Sequence, residues 1–467
     1  MSLNPITAGA LPGVPRRARP ATPARAIAGQ PRRLLRQLIW LYIFLWLMEG
    51  GLRRWFVPGL ATPLLLVRDP LIIAIYGLAA AKNLFPTNGL VLGGAFLALL
   101  SFANALLVGH GNPFVALYGA RCDFLHVPLI FIIGRIVRRE DLIALAKAAV
   151  WTSIPYTALL VAQFYAPQDA WVNRGVGGSM EGAGFIGALD RFRPPGTFSF
   201  ISGPSQLYPL FTACWFTLLL TRQLPVWALA ISAGAILVAI PISISRMLFL
   251  SVAIVGLAGV SALVIGGRFS IKLVVHFVLV AVLLGWLSAQ SSIFQDGMAA
   301  FSMRWQVATT DEGGFKEAIV DRVLKDLFGS FEGVGYSGLG TGFSTNVGQK
   351  MLTAEVGFGA SESEWGRLLY DNGMVLGSLI ICYRVALCFA IVSAAFRAWR
   401  RRSPLGLLFA AACFLILLNG PWGQATTLGS AVIGGGLTLA ASAKSTKRKP
   451  SVRTNLSKAM TANAATA

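Results

Sequence analysis

Charge is scarce in this sequence. Of 467 residues, 13% are Asp, Glu, Lys or Arg, and only 19 are acidic. Soluble domains carry about 25% charged residues, so water is excluded as the solvent for most of this surface. The five cysteines, Cys122, Cys214, Cys382, Cys388 and Cys413, stand in apolar segments and form no CxxC or Cys/His spacing. That excludes a disulfide framework and a zinc site. Only three histidines are present, no DxD-like metal motif lies in a soluble region, and the GLGTG run (Gly338 to Gly342) lacks the Lys-Ser/Thr of a phosphate-binding P-loop. We therefore expect no metal and no cofactor, and we read GLGTG as a flexible turn.

What is abundant is apolar length. Hydrophobic residues make up 55% of the chain, and mean hydropathy is +0.67. Apolar runs of about 17 to 25 residues recur from Leu34 to Ala443, each long enough to cross a hydrocarbon core of about 30 Å as a helix. A β-barrel would instead show shorter segments of alternating polarity. The expected class is all-α: a polytopic integral membrane protein of about twelve spans, placed at 34–50, 63–81, 89–108, 114–134, 142–166, 204–221, 225–242, 244–266, 271–289, 371–396, 404–420 and 424–443.

The net charge of +21 is concentrated in the tails and short loops, where it sets topology and meets anionic lipid rather than nucleic acid. From an inside N-terminus, alternate loops hold Lys82, Arg135 with Arg138 and Arg139, Arg222, Arg268 with Lys272, and the cluster Arg397 to Arg402. Both termini are thus expected in the cytoplasm. Only Arg53 and Arg54 violate the charge rule, which invites a functional explanation. Residues 1–33 and 444–467 read as disordered basic tails flanking a transmembrane domain, 34–443. Two outer segments, 167–203 and 290–370, are too long for simple connectors. The second contains an amphipathic stretch, Glu317 to Phe328, and is expected to form a cap.

Ionisable groups inside spans are expensive and mark paired or functional positions. Here they are Glu49, Arg68, Asp69, Arg121, Asp123 and His126, with Arg53 just beyond the first span. Asp123 and His126, at i and i+3, share a helix face and are positioned to hydrogen-bond. Alternatively the whole set neutralises itself and locks helix packing. On the outer side stand Arg193, Arg246, Arg304 and Arg322, whose planar cationic groups suit phosphate oxygens. Glu362, Glu364 and Arg367 gather charge where the large loop meets the next span. A partly dehydrated carboxylate there suits general-base work, while an acidic helix start favoured by the macrodipole is the plainer reading.

The motifs RPPGTFSFISGPSQL, ISISRMLFL, GLGTGFSTN and ESEWGRLLYDNG, in this order over Arg193 to Gly377, resemble the O-antigen ligase and polymerase family of bacterial envelope glycan enzymes. EGGLRRW, LVRDP and RCDFLHVPLIF resemble motifs of a less characterised branch. The resemblance implies metal-independent glycosyl transfer at the outer face of a bacterial inner membrane. The donor would be an undecaprenyl-diphosphate-linked glycan, and the acceptor a lipid A-core sugar or another carrier-linked glycan. On it, Arg193 and Arg246 match the family's outer-face arginines and one of Arg304 or Arg322 its loop arginine, with Arg367 a further diphosphate contact. Glu362, Glu364 and Arg246 become the catalytic candidates. Where ligases of the family show His then Asn, this chain has Glu362 and Ser363, and its large loop contains no His, a departure that favours polymerisation or a less studied transfer over lipid A-core ligation. Other polysaccharide-assembly proteins would be natural partners. A lipid-linked glycan transporter or flippase and a non-catalytic assembly protein remain the competing classes. No convincing internal repeat of the kind common in transporters is present.

Overall fold

The computed structural model describes residues 30–182, 184–265, 290–311, 334–353 and 363–443. The expected span at 271–289, the amphipathic stretch 317–328 and most of both tails lie outside them. Eleven of the expected spans coincide with helices. They are α1 (Gln30–Gly51), α2 (Arg68–Ala81), α3 (Gly89–Leu107), α4 and α5 (Pro113–Ala120 and Val127–Ile136), α6 (Arg139–Tyr165), α7 (Ser202–Thr221), α8 (Val226–Ile242), α9 (Arg246–Ile265), α12 (Glu364–Arg400), α13 (Leu405–Asn419) and α14 (Ala425–Ser442). Two more, α10 (Ser292–Asp311) and α11 (Asn346–Thr353), lie in the second outer segment. Among the described residues, 7 helical segments are long and apolar enough to cross a membrane. The strands form one antiparallel hairpin, β1 (Phe185–Ala188) with β2 (Arg191–Arg193), in the first outer segment.

Loop contacts sort the connections onto two ends. Arg36 pairs with Asp141 at 3.2 Å and Arg135 reaches the carbonyls of Leu84 and Phe85; we call this the inner end. At the opposite, outer end, residues 52–60 meet 172–198, His110 N–H donates to Leu339 O, and Trp422 N–H donates to the Glu364 carboxylate.

At the centre stands α14. Its sequence, ATTLGSAVIGGGLTLAAS, is built of small residues, so neighbouring helices approach its backbone closely and bury most of it. A Cβ at Gly434 would run into Cys413, and one at Gly436 into Ile133. By contrast α3 presents Leu92, Phe96 and Leu99 outward, as a helix facing lipid does.

Two outer features differ from the sequence expectation. GLGTG is a packed strap rather than a flexible turn, with Leu339 alone of its five residues exposed. Thr341 is fully buried, and the glycines let its backbone lie directly on Gly109 and Gly119 of the α3–α4 corner and on Gly373. Residues 364–370, placed in the outer loop, are already helical. Gly373, at φ 78°, then reverses the chain. A straight helix would separate Glu364 from Arg384 by about 30 Å, yet their side chains meet at 2.6 Å. The leg Glu364–Asn372 therefore folds back against the rest of α12, with Leu368 O and Leu369 beside Gly377.

Candidate active site

The buried charges form two adjoining lattices at the outer end. In the first, Arg68 donates to Glu49 at 2.9 Å and to Ala425 O at 2.6 Å, while Arg53 lies 3.7 Å from Glu49. Arg121 grips Asp69 through Nε and Nη2 at 2.8 and 3.0 Å. His126 bridges Asp69 (3.2 Å) and the Tyr42 hydroxyl (3.1 Å). In the second, Arg367 touches three carboxylates: Asp123 at 2.5 Å, Glu364 at 2.8 and 3.0 Å, and Asp371 at 3.3 Å. Arg384 completes it, donating to Glu364 and to Gly420 O and stacking 4.0 Å over the Trp422 ring. Asp371 in turn accepts from the backbone N–H groups of Gly342 and Ser344, which fastens the GLGTG strap.

The formal charges balance. Two carboxylates face three guanidiniums in the first lattice and three face two in the second, with His126 set aside. Charges in hydrocarbon cost several kcal/mol each, on the order of 3, and mutual pairing offsets that cost. The expected Asp123–His126 hydrogen bond does not form. Residues 121–125 make a π-turn, whose extra residue rotates the helix by about 100°. It sends Asp123 to Arg367 and His126 to Asp69.

Glu364, a candidate base, and Arg367, a candidate phosphate ligand, are both committed within this lattice. Glu364 is 5% exposed and accepts from Arg367, Arg384 and Trp422 N–H. That leaves its carboxylate held as an anion by fixed donors instead of poised to take a substrate proton. Arg53 and Arg54 also receive a structural explanation. Arg54, 1% exposed, donates to the carbonyls of Val172, Arg174, Gly196 and Phe198. Arg53 donates to Ala61 O and Ser199 Oγ. The charge that breaks the topology rule is what ties the first outer segment down.

A third group differs in kind. Arg193 ends β2, Arg246 begins α9 and Arg304 lies in α10. The tip of the hairpin turns through Leu189 and Asp190, both at positive φ. Gly187 has no Cβ to fill the gap between Arg193 and Ile244, so the hairpin settles on the α8–α9 corner. Gly297 of α10 packs against Ile242 on the same corner. Burial, followed by repulsion from Arg304 and then Arg246, pushes the Arg193 pKa down to about 10. Its Nε is buried without a hydrogen-bond partner. The N-terminus of α9 adds positive potential at Arg246. Three elements distant in sequence thus bring like charges towards Arg193, and an anion there would relieve the repulsion it feels.

Arg322 and Glu362 lie outside the described residues. Sequence reasoning missed Arg384, Asp371 and the turn 419–426. The lone arginine in the apolar run of α12 carried the same signal as Arg121. The turn carried none, although it joins both lattices through Gly420 O, Trp422 N–H and Ala425 O, and Gln424 reaches Ser202 of α7. Comparisons of the chain with family models, curated proteins and solved structures found no match.

Proposed function

We propose that this protein is a membrane glycosyltransferase that takes a glycan from a polyprenyl-diphosphate carrier at the outer end of the helix bundle. The observation that carries this reading is the convergence of Arg193, Arg246 and Arg304 on one outer corner, where the hairpin and α10 pack on Ile244 and Ile242 just before α9. When the anomeric C–O bond breaks, its electron pair passes to the diphosphate oxygen, and clustered guanidiniums stabilise that growing charge. An acceptor hydroxyl attacks the anomeric carbon and gives up its proton. Glu362 is our assignment for the base, because Glu364 is held by fixed donors. The buried lattices act as positioning struts for the strap and the folded-back leg.

The test is the size distribution of carrier-linked and surface glycan in a deletion strain complemented with wild type, Arg246→Ala or Glu362→Gln. Single repeat units left on the carrier, with neither variant restoring long chains, would establish a polymerase. Long chains stranded on the carrier would establish a ligase. An unchanged glycan profile on deletion would overturn the proposal.

A further inference from the structure

An exposed apolar surface at the outer end lies apart from the arginine corner. Phe56, Val57 and Leu60 follow α1, and Trp171, Val176 and Met180 come from the first outer segment; all six are exposed, Phe56 by 68% and Met180 by 59%. The two stretches are fastened together. Trp171 stacks on Trp55 with ring centroids 5.5 Å apart and planes 25° from parallel. The Arg54 guanidinium lies 4.9 Å from the Trp55 ring and holds Val172 O and Arg174 O. The position a Cβ of Gly178 would take lies 3.3 Å from Pro58.

The level of this surface follows from the helix that carries it. Arg36 is ion-paired to Asp141 at the inner end. The helical rise from Arg36 to Phe56 is about 30 Å, the thickness of a bilayer's hydrocarbon core. Phe56 and the residues clamped beside it therefore stand at the outer hydrocarbon–headgroup boundary, where tryptophan is favoured. Leu66, and Ile73 of α2, are exposed as well. We infer that residues 171–180 are not a free external loop but an interfacial apron, embedded with Phe56, Val57 and Leu60 in the outer-leaflet phospholipid. The occupant of the patch is phospholipid at the headgroup–acyl boundary. The inference is independent of the proposed glycosyl transfer.

Nitroxide labels at Val57→Cys, Leu60→Cys, Met180→Cys and Tyr336→Cys, each in the full chain with Cys382→Ser and reconstituted in phosphatidylethanolamine–phosphatidylglycerol vesicles, test it. Tyr336 is the aqueous reference: it adjoins Gly335, which bonds Met374, and α12 rises about 40 Å from Arg400 to Gly373, roughly 10 Å more than the core. We expect collision with oxygen to exceed collision with a water-soluble nickel chelate several-fold more at 57, 60 and 180 than at 336. A label at 180 as open to nickel as the one at 336 would overturn the inference. So would protection of that label from nickel by a soluble oligosaccharide, which would make Trp171 a sugar platform.

Discussion

Arg367 of the buried lattices and Arg193 of the outer corner are the same side chain in opposite circumstances. Arg367 is surrounded by three carboxylates, whereas Arg193 is pushed down to a pKa of about 10 by burial and two neighbouring arginines. The first has its charge answered by the fold, and removing it would leave buried anions exposed to one another. The second raises the energy of the empty protein and keeps its capacity for an incoming anion. Local electrostatic frustration, more than the presence of arginine, separates the anion ligand we propose from a strut.

The contrast breaks most readily at Arg367. Arg367→Ala should destabilise the fold by about 3–5 kcal/mol, because three carboxylates lose their common partner. Thermal unfolding in detergent reads this directly, and a normally stable variant would mean the lattice is not structural. Next in size, Arg193→Ala and Arg246→Ala should lower transfer from a carrier-linked donor about 100-fold. Arg193→Ala should not lower the melting temperature, since it removes repulsion. Loss of stability equal to that of Arg367→Ala would erase the distinction between the two groups.

A smaller effect concerns pH. The folded Arg193 pKa lies below its ordinary 12.5, so its charged form opposes folding below pH 10 and that penalty is relieved as pH rises through 10. Anion binding has the opposite sign. Affinity for inorganic sulfate, whose own charge is constant over this range, measured by calorimetry, should weaken as pH passes about 10, and Arg193→Ala should abolish the fall. The smallest effect is expected at the inner end. Lysine replacements at Arg400, Arg401 and Arg402 should leave glycan output and stability unchanged, because all that is asked there is positive charge beside lipid headgroups.

Helix positions were legible because apolar run length is a local property, and so α1, α3, α6 and α14 lie within a few residues of where the sequence places them. The buried acids and bases were legible one by one, since each stands out in hydrocarbon. Their partners were not. The Asp123–Arg367 pair spans 244 positions, and only a π-turn, invisible in composition, decides which way Asp123 faces. The reversal at Gly373 was hidden because YDNG reads equally as a helix start. GLGTG misled for a related reason: glycine permits both a flexible turn and the closest packing, and only the glycines facing it from Gly109, Gly119 and Gly373 select the second.

The turn at 419–426 also bears on how the chain is made. Glu364 and Arg384 are synthesised before the carbonyl of Gly420 and the N–H of Trp422 that complete their surroundings, and Arg68 waits from the first hairpin for Ala425 O. Charges inserted early stay incompletely satisfied until the final helical hairpin has left the ribosome. The order of synthesis is thus written into the lattices: the charges of α2 and α12 reach their full set of hydrogen bonds only once the turn 419–426 is in place.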